Sequence, residues 1–594
     1  MSHVRMLGGV SLAALALSFP SAALAQPECD ALPTQAERDA CRAQPAASSP
    51  GNQGQQDGSI VITGSRIARP NYDTLQPAVI IGSEEIENRG FETLGQAINE
   101  QPSFGVPGSS PVGGQAGSFG SGQSFVNFLG LGDQRTLVLV NGRRFISSNT
   151  ASIFGPSSAG LQVDLNTINT RLVERVETIA IGGAPIYGSD AIAGTVNIIL
   201  RDDFEGFEID GQYGIAEEGD APNYRFRAIW GTNIGDRANI TVTAEYNRGR
   251  GLLLNDREIT REARFYRRCN PGSQFNQCLF FNRRIPYVSE TGVLTVGGDI
   301  FGLNFPLSPD DQPLVFGAPG FSFSVTDAQG NQLQFDPAGN LIPIDFGQPI
   351  GLPTTFSIDF AGGNGFNLNN TQQLLTDTER FNVTFLGNVD LTDNVRFFAE
   401  GWYSVSRAVN LRDQPVYNSG LFDAAGTPDG PIVVSINNPF LTPEQRTVIQ
   451  NSIDNNPFSD QNLGVVAVQD YFYLGRANTD LVSGRAESET TVYRFVAGFE
   501  GTFDLGGRDF NWQIVGNYGL ADSQGREPVL VQQNFENAVN AATTSTCAPG
   551  AVNAPIPTLS SVCAPINLFG SGRISQAARD YVTAIADPTS SNEQ

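Results

Sequence analysis

The sequence contains no lysine; apart from one histidine, every basic side chain is an arginine. That histidine, His3, and both methionines, Met1 and Met6, lie in the first six residues. A chain that sheds them has no Ser-His-Asp or Cys-His nucleophile system and no Schiff-base lysine. It also has no imidazole for zinc or haem, so neither a metal site nor a cofactor is expected. Carboxylates are plentiful, which leaves a secreted carboxylate glycosidase open on composition alone. The absence of lysine fits genomic base composition as readily as function and carries no mechanism. Long hydrophobic runs are missing too. After residue 25 no segment approaches the roughly eighteen apolar residues that a membrane-crossing helix needs.

Positive charge is scarce in total: 36 Lys and Arg stand against 61 Asp and Glu, a net charge of −25. Such a surface repels phosphate backbones, so nucleic acid is not expected as a partner. Acidity suits a cationic or metal-chelate ligand and equally suits solvated loops. Cysteine is sparse, with 6 in 594 residues. They fall into local pairs, Cys29/Cys41, Cys269/Cys278 and Cys547/Cys563, with no Cys-x-x-Cys motif. Local disulfides are the reading if the chain reaches an oxidising compartment.

The N-terminus supplies that context. His3 and Arg5 precede an apolar run from Leu7 to Phe19, and Ala23-Leu24-Ala25 forms a small-x-small cleavage site, so residues 1–25 read as an export signal. Removing Arg5 makes the mature chain slightly more acidic. Residues 26–57, rich in Pro, Ala, Gln, Ser and Gly, cannot bury enough apolar surface to fold and read as a flexible linker. Within residues 58–66, Ser59-Ile60-Val61-Ile62-Thr63 is a short β-forming pentad suited to strand addition on a partner sheet. An ordinary edge strand is the alternative.

Residues 67–201 read as a compact α/β unit. Ala78 to Ile81 is a predicted strand, and Thr93-Leu94-Gly95-Gln96 opens a predicted helix that stops before Pro102. Thr136 to Val140 and Arg143 to Ser147 form a predicted hairpin around Asn141-Gly142. Val173 to Ile181 and Ala193 to Leu200 are two more strands. From 202 to 594 the texture changes to long strands of alternating polarity: Phe207 to Ile215, Tyr224 to Ile234, Ala238 to Arg248, Arg380 to Leu391, Val395 to Arg407, Thr491 to Leu505 and Phe510 to Ala521. A period of two suits a wall with lipid on one side and water on the other. Leu253 to Thr378 reads mainly as a long loop with some strands. Tyr471-Phe472-Tyr473 reads as part of an interfacial aromatic girdle.

Two segments make the pattern specific. Phe125-Val126-Asn127-Phe128-Leu129-Gly130-Leu131-Gly132-Asp133-Gln134-Arg135 through Asn141-Gly142-Arg143-Arg144 resembles the plug signature of TonB-dependent receptors. So does Val173-Glu174-Arg175-Val176-Glu177 with Tyr187-Gly188-Ser189-Asp190-Ala191-Ile192-Ala193-Gly194-Thr195-Val196-Asn197. The pentad Ser59 to Thr63 lies where that family carries its TonB box. In one departure, Leu129 stands where the family usually has arginine, so any polar contact made by that arginine is either absent here or supplied by another residue such as Arg135. The resemblance implies an α+β plug domain inside an antiparallel transmembrane β-barrel, incomplete in this chain with some eight to ten strands. The end, Asp587 to Gln594, is polar and lacks a final aromatic strand, which reads as truncation.

The function implied is that of an outer-membrane receptor, not an enzyme, which imports a scarce large ligand by energy-coupled plug displacement. The ligand would be a siderophore, vitamin, oligosaccharide or peptide. The implied partners are TonB, outer-membrane lipid and that extracellular ligand, bound by a monomer. A truncated, inactive receptor fragment is the main alternative. The plug-motif residues carried over are Gly130, Gly132, Arg135, Asn141, Gly142, Arg143, Tyr187, Gly188, Asp190, Gly194 and Asn197. The glycines are expected in tight turns where plug meets wall. Arg135, Arg143, Arg144 and Arg175 are candidates to pair with barrel carboxylates such as Glu245 or Glu400.

Overall fold

The computed structural model describes residues 78–91, 93–107, 122–148, 162–180, 187–268, 277–285, 287–297, 324–349, 360–410, 417–418, 430–457, 459–462, 464–481, 485–548 and 562–594. The export signal, the linker, Ser59 to Thr63, Cys29, Cys41 and Cys269 lie outside the described residues. All described residues belong to one compact unit.

The first part is a small mixed sheet. It contains β1 (Ala78–Gly82), β2 (Thr136–Val140), β3 (Arg143–Arg144), β4 (Val173–Ile179) and β5 (Gly194–Leu200), in the order β1-β4-β5-β2-β3. β2 and β5 run parallel and the other pairs antiparallel. Helices α1 (Ser83–Asn88) and α2 (Leu94–Asn99) pack beside it, and the Thr93 hydroxyl caps α2 by accepting from Gln96 N at 3.3 Å. Asn141 (φ 48°) and Gly142 (φ 73°) both take left-handed conformations, which a two-residue turn of type I′ requires. β3 is shorter than the sequence suggested. After Arg144 the chain leaves the sheet so that Phe145 and Ile146, both nearly inaccessible, can bury against the wall.

The wall starts with β6 (Gly206–Gly214), β7 (Asn223–Ile234) and β8 (Ala238–Gly249). A long excursion follows, with β9 (Val293–Thr295), β10 (Leu333–Phe335) and β11 (Leu341–Pro343), before β12 (Asp377–Thr392) and β13 (Val395–Asn410) rejoin the wall. A second excursion holds β14 (Ile432–Ser435), α3 (Pro443–Asn455) and β15 (Tyr471–Ala477). β16 (Ala486–Asp504) and β17 (Asp509–Leu530) return to the wall. A third excursion holds α4 (Gln532–Val539) and α5 (Gln576–Val582), then β18 (Thr583–Ala586) and β19 (Thr589–Glu593) complete the described chain.

The wall is a single antiparallel sheet of nine strands in the order β18-β17-β16-β13-β12-β8-β7-β6, with β19 also on β17. Its alternation has a clear sense. On β16, Ser488, Thr490 and Arg494 point inward and are buried, while Tyr493, Phe495 and Phe499 point out and are exposed. β7, β8, β12 and β13 repeat this, with Arg225, Glu245, Arg380 and Glu400 inside and Phe226, Trp230, Phe381 and Tyr403 outside. Polar-in, aromatic-out is the arrangement that lipid imposes on a barrel strand. Among the described residues no helix is long and apolar enough to cross a membrane, which says nothing of crossing by strands. The edges, β6 on one side and β18/β19 on the other, are not paired with each other among the described residues. The polar tail forms the short strand β19, without an aromatic residue, by pairing 589–593 with 520–524; edge pairing is made by backbone groups and asks little of side chains.

The wall turns are of two kinds. Residues 235–237, 393–394 and 505–508 are tight turns at one end; at the other end 215–222 joins β6 to β7, and 250–376, 411–485 and 531–582 are long connections. The long connections share a second core. Leu294, Phe335, Ile432, Ile449, Ile453, Phe472, Leu474, Phe535, Phe569 and Tyr581 pack together, drawn from all three. Leu253 to Thr378, expected as a long loop with some strands, contributes β9 and β10 to this core, while another expectation is corrected. Tyr471-Phe472-Tyr473 lies in a cap strand with Phe472 wholly buried against Phe569, not in a lipid-facing girdle. The cap is stapled by the disulfide Cys547–Cys563, with Cα atoms 6.1 Å apart. Cys278 is also disulfide-bonded.

Candidate functional site

The two signature segments meet at one place. Asn141 Oδ1 accepts from Leu200 N at 3.0 Å, and Asn197 Oδ1 accepts from Gly142 N at 2.9 Å. These bonds aim the β3 arginines to opposite sides. Arg144 turns back, donating to an Asp190 carboxylate oxygen and the Tyr187 carbonyl. Arg143 turns outward to the wall, with a nitrogen 3.2 Å from Glu400 Oε1 and its guanidinium carbon 4.5 Å from the Phe398 ring centroid.

Glu400 is the centre of a dry cluster. Its Oε2 accepts from Arg494 at 2.9 Å and from Trp402 Nε1 at 3.2 Å. The Arg494 side chain is 0 % exposed and that of Glu400 5 %, so this carboxylate neutralises a fully desolvated cation. Arg494 also lies 5.0 Å from the Phe145 ring, which meets Trp402 edge-on at 5.4 Å. Asn517 Nδ2 donates to the Arg144 carbonyl at 3.0 Å. The segment 143–146 is therefore held by β13, β16 and β17 together.

A second cluster sits at the other side of the wall. Glu245 on β8 accepts from Thr170 N at 3.2 Å and Thr170 Oγ1 at 3.3 Å. Arg227 donates to Thr170 Oγ1 at 2.8 Å and is itself paired with Asp210 at 2.9 Å. Beside it Arg171 bridges Glu87 and Glu208, and Arg225 donates to the Phe91 carbonyl. Between the clusters, Arg380 donates to the Gly122 carbonyl at 2.9 Å and Asn382 to the Asn166 carbonyl at 2.8 Å. A Cβ on Gly122 would stand 2.5 Å from that of Ala408, so only glycine lets the chain approach β13 this closely.

Near Gly122, Asp164 accepts from Ser124 N at 2.8 Å and Asn166 N at 3.0 Å. Burial nevertheless pushes its carboxyl up to about 6; the Arg380 charge and these hydrogen bonds pull the other way.

The sequence-chosen residues divide. Asn141, Gly142, Arg143, Tyr187, Asp190 and Asn197 converge at the Glu400 side. Gly130, Gly132, Arg135, Gly188 and Gly194 cluster elsewhere, where Ala193 N donates to the Arg135 carbonyl at 3.0 Å. Gly194 (φ 151°) packs inside the unit and not at the wall: a Cβ there would lie 2.7 Å from both the Ile179 carbonyl and the Phe128 ring. Of the four candidate arginines only Arg143 reaches a wall carboxylate. Arg135 donates to the Leu131 carbonyl at 2.6 Å, while Arg175 pairs with Glu174 and Glu177. Each is drawn to partners nearer in its own sheet or loop. Leu129 stands half-exposed at φ 55° in the loop beside them. Sequence reasoning missed Arg494, Trp402, Thr170, Asp164 and Arg380. A signal existed for Arg494 and Arg380: each is an arginine in the opposite phase to exposed aromatics on its strand. Among the described residues no group of His, Cys, Asp and Glu is arranged to hold a metal ion.

Residues 70–195 match the family described as the TonB-dependent receptor plug domain. Similar solved structures include a ferric enterobactin receptor from Pseudomonas aeruginosa in complex with enterobactin, at 12% identity and TM-score 0.35 over 77% of this chain and 47% of that one. The siderophore receptor PiuA from Acinetobacter baumannii is similar at 13% identity and TM-score 0.33, over 88% of this chain and 54% of that one. The siderophore receptor PirA from Pseudomonas aeruginosa follows at 9% identity and TM-score 0.28, over 76% and 50%. The chain spans about half the length of these structures.

Proposed function

We propose that this member of the TonB-dependent receptor family, identified by its plug domain at residues 70–195, is an outer-membrane receptor that takes up a scarce, large ligand by energy-coupled displacement of the plug. The observation that carries the reading is a recognised plug seated on the polar face of a strand wall through ion pairs and hydrogen bonds, above all Arg143–Glu400. These polar contacts are directional, and they stand beside apolar packing in which Phe145 and Ile146 share one buried cluster with Trp402, Val492 and Ala521 of the wall. Each polar contact can be broken by force and remade.

The side assignment follows from the loops. Barrels of this kind have short periplasmic turns and long external loops. The tight turns at 235–237, 393–394 and 505–508 thus face the periplasm, and the cap built by the three long connections faces outward, where a ligand arrives. The wall strands support this. β16 has 19 residues and β17 has 22, well beyond the roughly ten that cross a bilayer, so their upper halves project outside and carry the cap. The domains are proposed as export signal 1–25, linker 26–57, TonB-box region 58–66, plug 67–201 and wall with loops 202–594.

TonB is proposed to capture Ser59 to Thr63 as an added strand, and pulling on it would act through residues 64–77, which follow it in the chain, into β1. Strand addition needs backbone N–H groups. Val61→Pro, which removes one and fixes φ, tests the coupling. Ligand should still bind to cells while uptake falls to the level of a strain lacking TonB. Undiminished uptake in the proline variant would remove this pentad from the mechanism.

A further inference from the structure

The cap holds a cavity of about 510 Å³ between β14 and α4, formed by residues from two different long connections. Its size falls within the range of small-molecule sites, roughly 300–1,000 Å³. Ile432, Phe535 and Val539, which belong to the cap core, line its apolar part. The polar lining is Asn418, Ser435 and Gln532, whose side chains already hydrogen-bond within the protein, together with Asp470, Glu536 and Asn540.

These polar groups have unused capacity. Among the described residues the Asp470 carboxylate and the Asn540 side-chain amide make no hydrogen bond, and Glu536 accepts one, from Gln532 Nε2 at 2.9 Å through Oε1. Tyr471 also borders the cavity, but its phenol is committed to Asp460 Oδ2 at 3.1 Å, so it offers its ring. No arginine lines the cavity among the described residues, so an anion would face two carboxylates with no counter-charge.

From this arrangement we infer that the cap cavity binds a neutral saccharide. A sugar hydroxyl must both donate and accept. The carboxylates of Asp470 and Glu536 supply acceptors, and the Asn540 amide supplies a donor beside them. The C–H face of the ring has Phe535, Val539 and the Tyr471 ring to lie against. A cation would use the carboxylates and the Asn540 amide oxygen and leave the amide N–H donors and the apolar floor without a role. The inference names a ligand class for the proposed receptor and rests on that reading only for the side of the membrane that the cap faces.

The test is titration calorimetry of the intact chain in an amine-oxide detergent, since glycoside detergents would compete. Maltotriose, cellotriose and xylotriose serve as neutral probes, spermidine as the cation and trigalacturonate as the anion. At least one neutral trisaccharide should bind at least about tenfold more tightly than either charged probe. Asp470→Ala should weaken it by about tenfold, and Val433→Trp, which fills the mouth from a partly exposed position, should abolish it. Hydrogen exchange over α4 verifies that both variants keep the cap folded. The inference is overturned by no neutral binding at millimolar concentration, by tighter spermidine binding, or by binding indifferent to both substitutions. Any of these leaves TonB-coupled uptake, read separately through Val61→Pro, as it stood.

Discussion

Replacing Glu400 by glutamine removes one charge and almost no volume. Arg494 would then be a fully buried cation beside Arg143, with two positive groups and no carboxylate. Breaking a buried pair by removing one partner costs about 3–5 kcal/mol, since the remaining charge stays desolvated. Glutamine still offers an oxygen to Arg494 or Trp402, so the lower end, about 3 kcal/mol, is expected. Arg143→Gln should cost less, about 1 kcal/mol, because Glu400 keeps Arg494 and Arg143 is already 16 % exposed. Three tryptophans are present, and of these Trp402 touches both Glu400 and Phe145 of the plug. A chain with Trp230→Phe and Trp512→Phe therefore reports plug detachment through Trp402 emission in a urea titration in lipid nanodiscs. The free energy of detachment should fall in the order wild type, Arg143→Gln, Glu400→Gln, with the last populating the detached state roughly a hundredfold more. If Glu400→Gln detaches no more easily than Arg143→Gln, the buried cation is not what this carboxylate serves.

Asp164 gives a pH dependence of definite sign. Its folded value, about 6, lies above the ordinary 3.8, so the folded chain holds a proton that the unfolded one releases between those values. Plug stability should therefore decline as pH rises from about 4 to about 6 and level off above, by about 3 kcal/mol in all. Asp164→Asn, which keeps an acceptor for Ser124 N and Asn166 N, should abolish that slope; the Trp402 titration repeated at several pH values would show it intact if the assignment were wrong. Cys547→Ser opens the staple across a separation of 16 residues and should destabilise the cap by up to about 3 kcal/mol. Hydrogen exchange should then rise in α4 and α5 but not in β12 or β13, and equal acceleration in the wall would contradict a separate cap core.

Local rules made much of the fold legible. Alternation revealed the wall strands, the Asn141-Gly142 turn revealed its hairpin, and Thr93 revealed the start of α2. The cap was not legible, because its core is assembled from residues as distant as Leu294 and Tyr581, and no local period announces such a meeting. α3 carries its own signal, Thr442-Pro443-Glu444-Gln445, a capping box with proline at the first turn, yet it sits in a stretch without strong helical periodicity. At the plug–wall interface the sequence pointed to arginines and to Glu400 and Glu245 as residue types. Which arginine reaches which carboxylate depends on how β3 is aimed by Asn141 and Asn197, a tertiary matter. Glu245 meets plug N–H and hydroxyl donors of Thr170 where an arginine partner was expected.

The central claim is that the plug must leave its seat for ligand to enter. A Cβ built on Gly519 would lie 2.9 Å from Cβ of Ile146, close enough that a small relaxation brings a Gly519→Cys/Ile146→Cys pair into disulfide range. Uptake of labelled ligand should be measured in cells carrying that pair, oxidised and then reduced, beside wild type given the same reductant. The account predicts that the oxidised pair binds ligand normally, imports none, and recovers on reduction. Full uptake through a plug shown to be cross-linked to the wall would contradict it.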